Sequence, residues 1–240
     1  MLAAATFFGA AAASVKTYEV KSPDGRLSIV LTAGDRLTFS VAHDAQTLVA
    51  PSEMALTLAS GEVLGEAPKV RTARRRAAAE TLDAPLYRQS RFDAAYNELD
   101  LRLRGDYGVI ARAYDDGVCY RFYTERDGEL TIVGETAQLN FEGDPSAYVP
   151  YSNTKVPMQT SFENTYVYAP LSEFKMQTLA FMPVLVDLKD KGYVLYTESD
   201  VEAYPGIYLS YDKQARGLTA QFAPVPTATR FTKRYEDVVT

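Results

Sequence analysis

The chain has 240 residues, is 47% hydrophobic and 23% charged, and carries a formal net charge of −6. This length suits one large β domain or two small ones and buries enough surface to hold a core without a covalent staple. The acidic balance argues against a nucleic-acid partner, which would need a basic face.

The 17 Tyr and 11 Phe, with no Trp, favour strands, because broad side chains pack well on a pleated surface. The single cysteine, Cys119, excludes an intrachain disulfide and reads as a small core hydrophobe. The single histidine, His43, excludes a His-rich metal site and reads as an exposed turn residue. The run Arg74-Arg75-Arg76 reads as a solvated segment, not a patch.

Residues 1–14 are apolar and Ala-rich and end Ala11-Ala12-Ala13-Ser14. They match the apolar region and small-residue cleavage site of a secretory signal, so they read as a signal-peptide remnant. The run is too short to span a bilayer. The expectation is an exported protein, periplasmic or secreted, with no stable membrane span.

From Lys16 onward the pattern is strand after strand. Pro23-Asp24-Gly25 punctuates a turn, and residues 27–31 and 37–41 then alternate with a period of two, as an antiparallel hairpin requires. Residues 54–58 form a further strand, while 61–95 is expected to hold a strand or two and a loop. In the middle, Leu99, Leu101 and Leu103 alternate with Asp100, Arg102 and Arg104. A strand at 107–114 meets the turn Asp115-Asp116-Gly117, where Asp-Gly supplies the positive φ that a hairpin needs. Val118, Tyr120 and Phe122 then alternate with Cys119, Arg121 and Tyr123.

Strands are also expected near 130–133, 137–141, 181–186, 193–196, 207–210 and 218–222. Residues 143–173 read as a long aromatic loop carrying four prolines, and 223–240 shows no further strand pair. Many short strands joined by turns imply an all-β fold, a large antiparallel β-sandwich over residues 15–222.

No nucleophile elbow, phosphate loop or Cys/His metal spacing is present. What remains is carboxylates beside aromatics, the chemistry of sugar sites. Asp115 and Asp116 are explained by their turn. Glu163, in Ser161-Phe162-Glu163-Asn164, lies in the aromatic loop, and Glu198 and Asp200 follow a strand.

Four blocks resemble the N-terminal domain of glycoside hydrolase family 97. They are Ser22-Pro23-Asp24-Gly25-Arg26-Leu27, Tyr96-Asn97-Glu98-Leu99, the run from Arg112 to Phe122, and Thr197-Glu198-Ser199-Asp200-Val201 with Tyr204-Pro205-Gly206-Ile207-Tyr208-Leu209. Their order and spacing agree over most of residues 17–222. The resemblance implies a galactose-mutarotase-like super-sandwich in an exo-acting α-glycosidase, of α-glucosidase or α-galactosidase type, acting on α-linked oligosaccharides. It implies that the domain packs on a catalytic (β/α)8 barrel in cis and lends one glutamate to an active-site calcium ion. Glu163 is the first match to that ligand and Glu198 the second. Residues 223–240 are then the exit linker towards a barrel that this sequence does not contain. No catalytic residue is assigned, and the chain alone is expected to be inactive. The alternative is a free-standing carbohydrate-binding β-sandwich module. An isolated mutarotase-like enzyme is disfavoured, since His43 is the only histidine available for proton transfer.

Overall fold

The computed structural model describes residues 15–152, 158, 163–175, 178–202, 204–225, 228–231 and 236–239. The chain opens with β1 (Lys16–Lys21), β2 (Leu27–Ala33), β3 (Leu37–His43) and β4 (Gln46–Leu58), an antiparallel meander. Turn chemistry sets its corners. Gly25 takes φ 78 behind Pro23-Asp24, and Asp44 and Ala45 both take positive φ between β3 and β4. Positive φ at both central residues is what a two-residue hairpin turn demands. His43 therefore ends a strand, opposite Gln46, and the turn begins one residue later.

The short β5 (Val63–Leu64) pairs with β4. A second meander follows: β6 (Val70–Asp83), β7 (Arg91–Leu103), β8 (Tyr107–Tyr114) and β9 (Val118–Thr124), which form a four-stranded sheet in chain order. β10 (Ile132–Asn140) then returns to the first sheet beside β4. β11 (Ser146–Val149), β12 (Val167–Pro170), β14 (Val184–Asp187) and β15 (Tyr193–Tyr196) form a third sheet in the order β12-β11-β14-β15. β13 (Ala180–Phe181), β16 (Ile207–Asp212) and β17 (Gly217–Phe222) complete the large sheet, and β18 (Ala228–Phe231) pairs with β19 (Glu236–Val239).

The sheets pack through inward faces written with a period of two. Leu99, Leu101 and Leu103 of β7 and Val109, Ala111 and Ala113 of β8 are each at most 1% exposed. They meet Ile29 and Leu31 of β2 in one continuous core. Tyr120 of β9 stacks on Phe39 of β3, with ring centroids 5.0 Å apart.

Part of the outer face of the four-stranded sheet is tied together by a charge network. Cross-strand register places Arg76, Glu98 and Arg112 in one row. Glu98 accepts from Arg76 at 2.6 and 3.0 Å and from Arg112 at 2.8 Å. The Arg112 guanidinium lies 4.4 Å from the centre of the Tyr96 ring, and Tyr96 packs on Tyr114 at 5.0 Å. The Tyr96 hydroxyl donates to Glu80 at 2.6 Å. Tyr96, Glu98, Arg112 and Tyr114 thus form one structural network. The turn residue Asp115 accepts the Asp24 amide, clasping this sheet to the first meander.

Several sequence expectations are corrected. Cys119 is exposed, not in the core, because β9 turns Val118, Tyr120 and Phe122 inward and Cys119 outward. The stretch 143–173 is not one loop: it contains β11 and β12, with Pro145 and Pro150 beside β11 and Pro170 at the end of β12. The expected strand over 181–186 is divided at Met182-Pro183, with β13 in the large sheet and β14 in the third. The expected pair at 130–133 and 137–141 is one strand, β10, kept continuous across a register shift. The tail holds a strand pair, β18 with β19, where none was expected. Residues 1–14 lie outside the described residues.

Two expected outcomes follow. Leu101→Ala, at a site with no exposure, should cost about 2–5 kcal/mol in urea unfolding. Leu86→Ala, at a site 96% exposed, should stay within about 0.5 kcal/mol. Equal costs at the two sites would contradict the core assignment. Hydrogen bonds from Arg76 and then Arg112 hold the Glu98 carboxyl below its ordinary value of 4.5, against the opposing effect of burial. A depressed carboxyl stabilises the fold fully above its unfolded value and loses that contribution as pH falls through the lowered one. Glu98→Gln should therefore cost about 1–3 kcal/mol at neutral pH, and the gap to the parent should close on acidification below 4.5. A gap independent of pH would show that the charge is not what stabilises the network.

Candidate functional site

Two features of the described surface are built to meet something else. The first is the outer face of the β12-β11-β14-β15 sheet. Its inner residues Ala147, Val149, Val184 and Val186 are buried in the core. Alternation then sends their neighbours outward. Register aligns Tyr168, Tyr148, Leu185 and Leu195 in one row across the sheet. Tyr148 is 37% exposed, Tyr168 48% and Leu195 60%, with Tyr193 and Tyr166 also exposed beside them. The Tyr148 and Tyr168 rings lie 4.6 Å apart, and the Tyr168 hydroxyl donates to Asp187 at 2.7 Å. That bond, with the Lys189 amide, holds the Asp187 carboxyl below its ordinary value. The rings are thus held in place, and their faces are left open.

The second feature is a cleft of about 810 Å³ between β8 and β9 on one side and residues 198–201 and Tyr204 on the other. Its floor includes Tyr120, Phe222 and Glu135, and Glu198 and Tyr204 stand at its wall. The Tyr204 hydroxyl donates to Glu135 at 2.6 Å, and the Tyr204 ring packs edge-on against Phe222 at 5.9 Å. Glu198 accepts the Ile207 amide on Oε1 at 2.9 Å. Gly206 permits this approach, since a Cβ there would stand 3.3 Å from that oxygen. Burial raises the Glu135 carboxyl above its ordinary value, and the nearby charge of Glu198 adds to the rise. Burial also raises the Tyr196 hydroxyl, on the adjoining strand end.

The sequence candidates are not brought together as one site. Glu163 is exposed, on the segment that precedes β12. Glu198 is half-buried in the cleft wall. Glu135, Tyr193 and Leu195 were not singled out by sequence. Alternation along 193–196 was a usable signal for the outward pair, but nothing around Glu135 marks it.

A calcium ion takes about six to eight oxygen ligands. Among the described residues no three Asp, Glu, His or Cys side chains converge as such a site would need. These residues fit a contributor to a shared ion, not its complete cage. Among the described residues, no helix is long and apolar enough to cross a membrane.

Comparison with known proteins agrees with this architecture. Residues 20–232 match the family model described as Glycosyl-hydrolase 97 N-terminal. The chain is 38% identical over 220 residues to a retaining alpha-galactosidase of Bacteroides thetaiotaomicron, covering 89% of this chain and 33% of that protein. It therefore spans about a third of the length of that relative. Among solved structures, a glycoside hydrolase family 97 enzyme from Pseudoalteromonas sp. strain K8, in complex with acarbose, superposes with a TM-score of 0.74 at 16% identity, over 86% of this chain and 32% of that one. A beta-arabinopyranosidase superposes with a TM-score of 0.72 at 19% identity, over 92% of this chain and 38% of that one. At those identities the structural matches speak for the fold. The match to the family model over nearly the whole described domain goes further: this chain belongs to glycoside hydrolase family 97, as its N-terminal β-sandwich domain.

Proposed function

We propose that the chain serves an exported α-glycosidase, of the α-galactosidase or α-glucosidase type, by seating that enzyme's catalytic barrel on the outer face of the β12-β11-β14-β15 sheet. The observation that carries this reading is the row of Tyr168, Tyr148 and Leu195, ordered but uncovered. A contiguous apolar face on an otherwise charged protein marks an interaction surface. The bond-breaking carboxylates belong to the barrel, so the domain alone hydrolyses nothing. The 38% identity to a retaining alpha-galactosidase favours α-galactosides among the substrates.

The domain also lends one glutamate to a calcium ion shared with the barrel. Glu163 and Glu198 are the two candidates. Glu163 is supported by its exposure on the segment that precedes β12. Glu198 is supported by geometry: the Ile207 amide orients its carboxylate through Oε1, and Glu135 adds negative charge nearby. A hard cation is best served by an oriented carboxylate in a negative setting. When bound, the ion would supply positive charge at the active site.

Two measurements test this reading. In the enzyme carrying both domains, Tyr148→Ser combined with Tyr168→Ser and Leu195→Ser should split a single thermal transition into two and lower hydrolysis of p-nitrophenyl α-galactoside. The far-UV spectrum of the 240-residue chain should stay unchanged. A single transition with full activity would defeat the docking assignment. For the ion, Glu198→Gln should weaken calcium binding by at least about tenfold and lower hydrolysis with it. Unchanged calcium affinity in both Glu198→Gln and Glu163→Gln would remove the metal role from this domain. If the 240-residue chain instead binds free oligosaccharide through the aromatic face, the carbohydrate-binding alternative gains the argument.

A further inference from the structure

Among the described residues β6 is an edge strand bonded only to β7, and its long edge is exposed. The β7–β8 pairing ends at Tyr96 opposite Tyr114, so residues 79–83 of β6 and 91–95 of β7 project as a two-stranded ribbon. The ribbon carries the exposed cross-strand pair Leu82 and Phe92, and its tip carries Leu86 and Tyr87, which are 96% and 75% exposed. A two-stranded ribbon alone is marginal in water, and a long uncapped edge is a template for another strand. No proline interrupts β6, and its centre is Ala77-Ala78-Ala79, too small to obstruct an approach.

The charges of β6 are divided by halves. Arg71, Arg74, Arg75 and Arg76 lie before the alanines, and Glu80 and Asp83 lie after them. Arg74 has no hydrogen-bond or ion-pair partner among the described residues, whereas Arg76 is held by Glu98. We propose that the β6 edge pairs antiparallel with β6 of a second copy of this chain, about a two-fold axis at Ala77. That register sets Arg74 opposite Glu80, twice by symmetry; Arg71, at a register shift of β6, stays paired with Asp106, and Asp83 with Arg91. Opposite charges in facing positions stabilise a strand pair. Moving the axis to position 76 would set Arg76 against itself. Three consecutive arginines repel most other edges, so the acidic half admits a copy of this chain in preference to an arbitrary strand. The pairing joins the two four-stranded sheets into one and carries the apolar tip towards Pro68 of the second copy.

The test uses sedimentation velocity and cross-linking on the chain. The parent should dimerise. Arg74→Glu alone and Glu80→Arg alone should each weaken the dimer about ten- to thirtyfold, since each turns two attractive pairs into like-charge pairs. An equimolar mixture of the two variants should recover a heterodimer, which also shows that both still fold. In a Cys119→Ser background, Ala77→Cys should oxidise to a linked dimer, because residues facing each other across an antiparallel pair lie about 4.5–5.5 Å apart at Cα, within disulfide reach. Ala79→Cys should not link, since its symmetry mate would lie about 13 Å away. A monomeric parent, a dimer indifferent to Arg74→Glu, or equal linking at 77 and 79 would overturn the proposal. In the first case the edge is covered by another part of the protein, or by none.

Discussion

The structure depends on the strand register that keeps one face of β7 and β8 against β1 and β2. Because side chains alternate with a period of two, a slip of one residue would exchange faces completely. Leu99, Leu101 and Leu103 would go to solvent, and Glu98, Asp100 and Arg102 would go into the core. Burying those charges without partners costs far more than any local preference could repay. Bonds between the sheets hold the same alignment from several directions. Asn97 donates to the Lys21 carbonyl at 2.8 Å, the Gly65 amide donates to the Tyr107 hydroxyl at 3.0 Å, and the Asp24 amide donates to Asp115 at 2.9 Å. Everything else on the surface is placed by this alignment.

With the register set, the outward faces of two sheets come out chemically different. On the four-stranded sheet, Glu98 is enclosed by two arginines and an aromatic pair, so the polar groups are satisfied within the domain. On the β12-β11-β14-β15 sheet, the outward row is largely apolar and stays exposed among the described residues. Covering such surface is worth roughly 25 cal/mol per Å², which makes the second face, not the first, the place where another domain gains by docking. The family block around Tyr96 therefore reports on the stability of the sandwich, and the block from Arg112 to Phe122 also lines the cleft. The block around Glu198 reports on a different matter, a carboxylate held in a cleft wall beside a second, half-buried one.

The family and the all-β class were legible because both rest on local patterns. Alternation marked the inward faces of β2 and β7, and Asp-Gly and Pro-Asp-Gly located turns. Errors arose where a local signal pointed to several outcomes. Prolines in 143–173 suggested a loop, yet Pro145, Pro150 and Pro170 lie beside or at the end of short strands. Alanines and arginines in 70–83 suggested weak structure, yet backbone pairing with β7 makes that segment a long strand, because β preference is mostly a matter of neighbours. Cys119 was placed inside by its residue type and outside by the phase of β9, and phase prevailed. The site was less legible. Glu163 and Glu198 were named by resemblance, but Glu135 lies far from both in sequence and reaches Tyr204 only through the pairing of β10 in the large sheet.

The sequence by itself determined the strand-rich class, the phase of the central strands, the main turns and the family, since each is written in periods and blocks a few residues long. Tertiary structure alone decided which outward face stays apolar, which two glutamates share a cleft, and that β6 presents a free edge with its charges divided by halves. Those properties depend on which strands become neighbours, and neighbourhood is set by long-range pairing that no local pattern encodes.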